Sequence, residues 1–162
     1  MAKKFIKWKQ HYLQYYPIVK EVAERHGLDP RELYKISLLE SGVLGNKAFS
    51  KGKGSSGGKG LFSMTNAAMK DAKMPSDTDL FDPRANAEGA ARFIKKLSNE
   101  GVPAEDLHIA FRTGKTGYKR YKQDKLGSQT LKEVNQRLRD VRIMDNEFMP
   151  GMSIPIPTVK PI

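Results

Sequence analysis

Apolar residues recur at three- and four-residue intervals along most of the first 145 positions, and no segment keeps the alternating β-branched pattern of a strand long enough to build a sheet. The pattern predicts an all-α protein of about six to seven helices. A leading helix over 5–16 is followed by one that Pro17 opens and that runs to His26, where "HGLDP" supplies a glycine stop. Asp29-Pro30-Arg31-Glu32 reads as a capping box with proline at the first helical position, and its helix runs to about Ser41. Thr65 or Asn66 caps a short helix to about Lys73. Asp82-Pro83 starts one through Leu97, with Ala90, Phe93, Ile94 and Leu97 on one face. Pro103 opens another, with Leu107, Ala110 and Phe111 inward and an end near Gly114. A last helix spans about 130–146, where Leu131, Val134, Leu138, Val141 and Met144 form a packing stripe.

Beyond residue 146 the pattern stops. Four of the nine prolines fall from Pro150 onward, so 147–162 is expected to be an extended arm or linker following a domain over 1–146. The stretch "SKGKGSSGGKGLFSM" has five glycines between Gly52 and Gly60, but it is not a phosphate loop: Lys53 stands where the first glycine belongs and Gly60 where a hydroxyl residue belongs. "TGKT" at 113–116 fails likewise, with Ile109 at the first-glycine position. Lys51 to Lys59 reads instead as a flexible basic insertion.

Composition narrows the chemistry further. With no cysteine, disulfides and thiolate metal sites are excluded, and His11, His26 and His108 are too scattered for a metal-binding spacing. They read as surface or satisfied core residues, and neither metal nor cofactor is expected. The net charge of +11 attracts polyanions such as nucleic acid, anionic membranes and acidic wall polymers, without choosing among them. The excess is greatest late: residues 112–142 hold ten Lys/Arg against Asp124, Glu133 and Asp140. "MAKKFIKWKQ" opens like a signal peptide, but Lys7, Lys9 and Gln10 interrupt any apolar core, so no export signal is recognised, and no stretch has the length of a membrane span.

One carboxylate stands out. On the helix ending at Ser41, Leu33, Ile36 and either Leu39 or Glu40 share a stripe, which sets Glu40 beside apolar neighbours at a helix C-terminus. Both surroundings disfavour its charge and are expected to raise its pKa, as a general acid requires. The plain alternative is an exposed glutamate that happens to end a helix. No Asp or Glu lies between Glu40 and Asp71, which favours a one-acid mechanism unless Asp71, Asp79 or Asp82 folds back towards the same cleft.

Four segments in order, "YYPIVKEVAERHGLDPRELYKISLLESG", "GGKGLFSMTNAAMKD", "DPRANAEGAARFIKKL" and "DLHIAFRTGKTGYKRY", resemble the soluble lytic transglycosylases, relatives of goose-type lysozyme, over residues 17–121. The resemblance implies a lysozyme-like domain with a glycine-rich cleft loop, cleaving the β-1,4 bond between N-acetylmuramic acid and N-acetylglucosamine in peptidoglycan glycan strands. It implies Glu40 as the catalytic acid and Ser41, Gly60, Leu61, Phe62, Ser63, Thr65, Asn86, Phe111 and Arg112 as cleft or substrate-binding residues, with Asn86 helping to hold its helix against the cleft. Four positions depart from the family pattern: Phe62 replaces methionine, Ser63 glutamine, Phe111 tyrosine and Arg112 asparagine. The lost tyrosine hydroxyl is expected to slow the enzyme or shift the donor role elsewhere.

Two chemistries fit. Glu40 protonates the leaving oxygen, and then either the muramic acid C6 hydroxyl closes a 1,6-anhydro ring or water attacks as in a lysozyme. Two other readings stay open: an inactive module holding cell wall or nucleic acid through Arg112, Lys115, Lys119, Arg120 and Lys122, interleaved with Tyr118 and Tyr121, and a structural part of a larger assembly. The favoured setting is a phage virion protein that opens the wall for genome entry, ahead of a secretion-machine component or another protein of the periplasm or cell envelope. Virion or secretion-machine proteins are the further partners, and nucleic acid is a secondary one.

Overall fold

The computed structural model describes residues 2–42 and 58–150. Within them lie α1 (Ala2–Arg25), α2 (Pro30–Ser41), α3 (Asn66–Asp71), α4 (Pro83–Asn99), α5 (Leu107–Lys122) and α6 (Ser128–Ile143). A short 3₁₀ turn, Ala104–Asp106, precedes α5, and a π-helical turn, Met144–Phe148, follows α6. The chain divides into two compact units between Lys125 and Leu126.

The first unit is built around α1, α2 and α4. α1 is one continuous helix with Pro17 inside it, where a helix boundary was expected. Pro17 lies on the exposed face near Leu13, itself 66% exposed, so water can take up the carbonyl that the proline leaves without a partner. The opposite face, including Tyr12, Tyr16, Val19 and Ala23, stays buried across the position. Tyr12 and Tyr16 stack at 4.6 Å, and Tyr34 of α2 meets both edge-on at 5.3 Å.

The expected caps form. Gly27, with φ +67°, ends α1 in a Schellman arrangement: Leu28 N donates to the Ala23 carbonyl and Gly27 N to that of Glu24. Asp29 Oδ1 accepts from Arg31 N at 2.8 Å to start α2, Thr65 Oγ1 from Ala68 N at 3.0 Å to start α3, and Asp82 Oδ1 from Arg84 N at 3.0 Å to start α4. The reciprocal half of the expected capping box does not form: the Glu32 carboxylate pairs with Lys35 at 2.9 Å instead of accepting from Asp29 N.

Small residues of α4, Ala87, Gly89, Ala90 and Ala91, are buried and let neighbouring helices approach. At Gly89 a Cβ would overlap Met69 Sδ of α3. The Glu88 carboxylate gathers Arg25 at 2.9 Å, Arg92 at 3.2 Å and the His26 ring, tying the end of α1 to α4. Burial works against its charge, yet the hydrogen bond from His26 and the nearby cations hold its pKa below the usual glutamate value.

α5 does not end near Gly114. It is interrupted there, at φ +76° and ψ +174°, and resumes to Lys122. Tyr118 Oη donates to Asp106 Oδ2 at 2.5 Å, so the resumed segment is fastened back to the start of the helix. Burial and that bond push the Tyr118 pKa up to about 12.

In the second unit Val134 and Met144 are buried, whereas Leu131 of the expected stripe is 40% exposed. Helical geometry continues through Phe148, past the expected start of the extended tail. Residues 151–162 of that tail lie outside the described residues.

Candidate active site

Residues 59–64 form a tight turn that faces the end of α2. Lys59 and Met64 exchange backbone hydrogen bonds at 2.9 Å, and Ser63 N donates to the Gly60 carbonyl at 3.0 Å. Two residues adopt the left-handed region, Gly60 at φ +77° and Ser63 at φ +51°. Only glycine serves at position 60, because a Cβ there would overlap the Leu80 carbonyl oxygen and Asn86 Nδ2. Leu61, Phe62 and Met64 point inward and are buried.

Asn86 of α4 holds this turn. Its Oδ1 accepts from Phe62 N at 2.7 Å, and its Nδ2 donates to the Lys59 and Leu80 carbonyls, each at 2.8 Å. On the other side Ser41, the last residue of α2, donates from Oγ to the Leu61 carbonyl at 2.8 Å. The turn is thereby tied both to α4 and to the helix that carries Glu40.

Between these elements lies a cavity of about 320 Å³, in the size range of small-ligand pockets. Glu40, half-buried, lines it beside Ser63 and Met64 of the turn; Thr65 at the cap of α3, Ala67, Ala68 and Asp71 of α3, Phe93 of α4 and residues 111–114 of α5 complete the wall. Of the residues expected from sequence, Glu40, Ser63, Thr65, Phe111 and Arg112 meet at this cavity. Ser41, Gly60, Leu61, Phe62 and Asn86 are buried behind it, where they hold the wall instead of forming its surface. Residues 51–57 of the expected basic insertion lie outside the described residues.

Sequence reasoning missed Ala67, Ala68, Phe93, Thr113 and Gly114 as lining residues. A local signal existed for α3, since Ala67, Ala68 and Asp71 fall at the spacing of one helical face. Two of the departures from the family pattern touch each other: Phe111 meets Phe62 edge-on at 6.1 Å and Phe93 at 5.7 Å, forming an aromatic wall. Of the three acids weighed as a second carboxylate, Asp71 does line the cavity. Asp79 and Asp82 instead accept backbone N–H bonds from Phe81 and Arg84.

A family model, the Transglycosylase SLT domain, matches residues 17–134. This chain belongs to the SLT transglycosylase family. The helical fold and the order of motifs agree with that membership, and the SLT chain is a peptidoglycan lytic transglycosylase. No curated protein and no solved structure matches it. Among the described residues of this SLT chain, no helix is long and apolar enough to cross a membrane.

Proposed function

We propose that Glu40 is the acid and then the base of a one-glutamate reaction that releases 1,6-anhydromuramic acid. The observation that supports this reading is the position of Glu40 in the cavity wall, half-buried beside Met64, Phe93 and Phe111. Protonated Glu40 gives its proton to the glycosidic oxygen as the bond to muramic acid C1 breaks. The substrate's N-acetyl oxygen closes on C1 and stabilises the cation. Glu40, now ionised, takes the proton of the C6 hydroxyl, whose oxygen displaces the N-acetyl oxygen from C1. The proton count closes without water.

In Glu40→Gln the cleavage rate of purified peptidoglycan should fall by roughly 10²–10⁴-fold or more, with the helical circular dichroism signal retained. Activity at the wild-type level in that variant would refute the assignment. Mass spectrometry of the wild-type digest should show muropeptides one water lighter than hydrolysis products.

Asp71 favours one second reading. A second carboxylate in the same cavity is what a hydrolase uses to activate water. Reducing muramic acid ends that disappear in Asp71→Asn would support lysozyme-type hydrolysis.

For the biological setting we propose a phage particle protein that opens the wall during genome entry, with a bacterial secretion machine as the other setting. The +11 charge, suited to acidic wall polymers and to packaged nucleic acid alike, supports it. Detection of the chain in purified virions is the expected result; its presence only in uninfected cells would oppose it.

A further inference from the structure

His11 of α1 is 7% exposed and lies outside the cavity wall, yet it reaches the end of α2. Its Nε2 lies 2.7 Å from Ser41 Oγ, and its Nδ1 lies 2.8 Å from Tyr34 Oη; both partners are buried. Ser41 Oγ also lies 2.8 Å from the Leu61 carbonyl and 3.0 Å from the Ser37 carbonyl. Carbonyl oxygens only accept, so the one Ser41 proton goes to them, with Leu61 the nearer. The Ser41 oxygen must then accept from His11, which fixes the imidazole as the Nε2–H tautomer and leaves Nδ1 to accept the Tyr34 proton. The hydrogen bonds thus run in one direction, from Tyr34 to His11 to Ser41 to Leu61.

We propose that His11 is a positioning residue of the transglycosylase site, holding through Ser41 the turn that carries Ser63 and Met64 in a fixed place relative to Glu40. Ser41 directly follows Glu40 in α2, and Leu61 belongs to the turn whose next residues line the cavity. Asn86 binds that turn to α4, and the Ser41 bond ties it to the helix carrying Glu40. A hydroxyl rotates easily. Without an Nε2–H donor, nothing in this chain of bonds keeps the Ser41 proton aimed at Leu61, and small displacements between acid and substrate cost large factors in rate. Burial lowers the His11 pKa to about 4, so the ring is neutral at neutral pH and the stated order of donors is maintained.

The proposal rests on Glu40 as the acid, and two kinds of test keep the ideas separable. Nitrogen-15 NMR of the imidazole in the full chain at neutral pH reads the tautomer without reference to activity: the Nε2–H form is expected, and the Nδ1–H form would overturn the proposal whatever Glu40 does. In the kinetic arm, His11→Phe should lower kcat about tenfold or more with KM changed less than about threefold, whereas His11→Gln, whose side-chain amide can donate to Ser41, should recover most of that loss. Tyr34→Phe removes the donor to Nδ1, which supports the Nε2–H tautomer, and should lower kcat by a smaller factor, again with little change in KM. Equal kcat per folded molecule in wild type, His11→Phe and Tyr34→Phe would show a merely structural role and overturn the proposal. If His11→Phe does not fold, the NMR reading and the Tyr34→Phe kinetics decide.

Discussion

Asn86 supports the site's architecture without touching the cavity. All three of its side-chain bonds go to backbone groups, at Lys59, Phe62 and Leu80, and the residue is fully buried. Asn86→Ala would leave one buried N–H and two carbonyls without these bonds, each worth about 1–3 kcal/mol when unsatisfied. A loss of roughly 3 kcal/mol or more is expected in urea unfolding, together with lower activity in the fraction that remains folded. Its neighbour Gly60 is constrained by the same approach, since Asn86 Nδ2 occupies the space a side chain would need. Phe111 illustrates a different residue-scale effect. Sequence shows only that a tyrosine hydroxyl is missing, whereas the fold shows the ring packed on Phe62 and Phe93, so two departures from the family pattern make one apolar wall.

Among the helices, starts and stops followed local chemistry where a side chain caps the backbone, as at Asp29, Thr65 and Asp82. They departed from it where a helix breaker was tolerated by its surroundings. Pro17 sits on the exposed face of α1 and does not divide it. Gly114 does interrupt α5, but the helix resumes, and Tyr118 reaches back to Asp106. The Gly114 backbone, at φ +76° and ψ +174°, lies in a region that essentially only glycine occupies, with open space where a Cβ would be. Gly114→Ala should therefore cost about 1–3 kcal/mol through the backbone alone, measurable by thermal unfolding. Because Arg112, Thr113 and Gly114 line the cavity, turnover should fall with it.

Over the whole molecule, pH dependence of stability should carry the signature of His11. Its folded pKa of about 4 lies below the ordinary value of 6.5, so between these values the unfolded chain holds a proton that the folded chain does not. The resulting stability is complete above pH 6.5, declines as pH falls towards about 4, and is lost below that. The shift corresponds to a contribution on the order of 3 kcal/mol. Urea unfolding at about pH 7.5 and about pH 4.5 should show a decrease that is much smaller in His11→Gln. Glu88 acts in a separate window: its depressed pKa contributes stability that is lost only as pH falls below the ordinary glutamate value of 4.5.

The helical class, the caps, the position of Glu40 at the end of α2 and the order of the family motifs were all readable from the sequence, because periodicity and capping act over a few neighbouring residues. Tertiary structure decided which distant side chains meet. It brought Asp71 into the cavity with Glu40, showed which backbone groups Asn86 grips as it holds the turn to α4, and joined His11 to Ser41 across 30 positions. Those outcomes depend on how α1, α2, α3 and α4 pack, and packing direction is set by the whole buried surface at once. A local pattern names the residues that face inward; only the assembled helices determine what each of them faces.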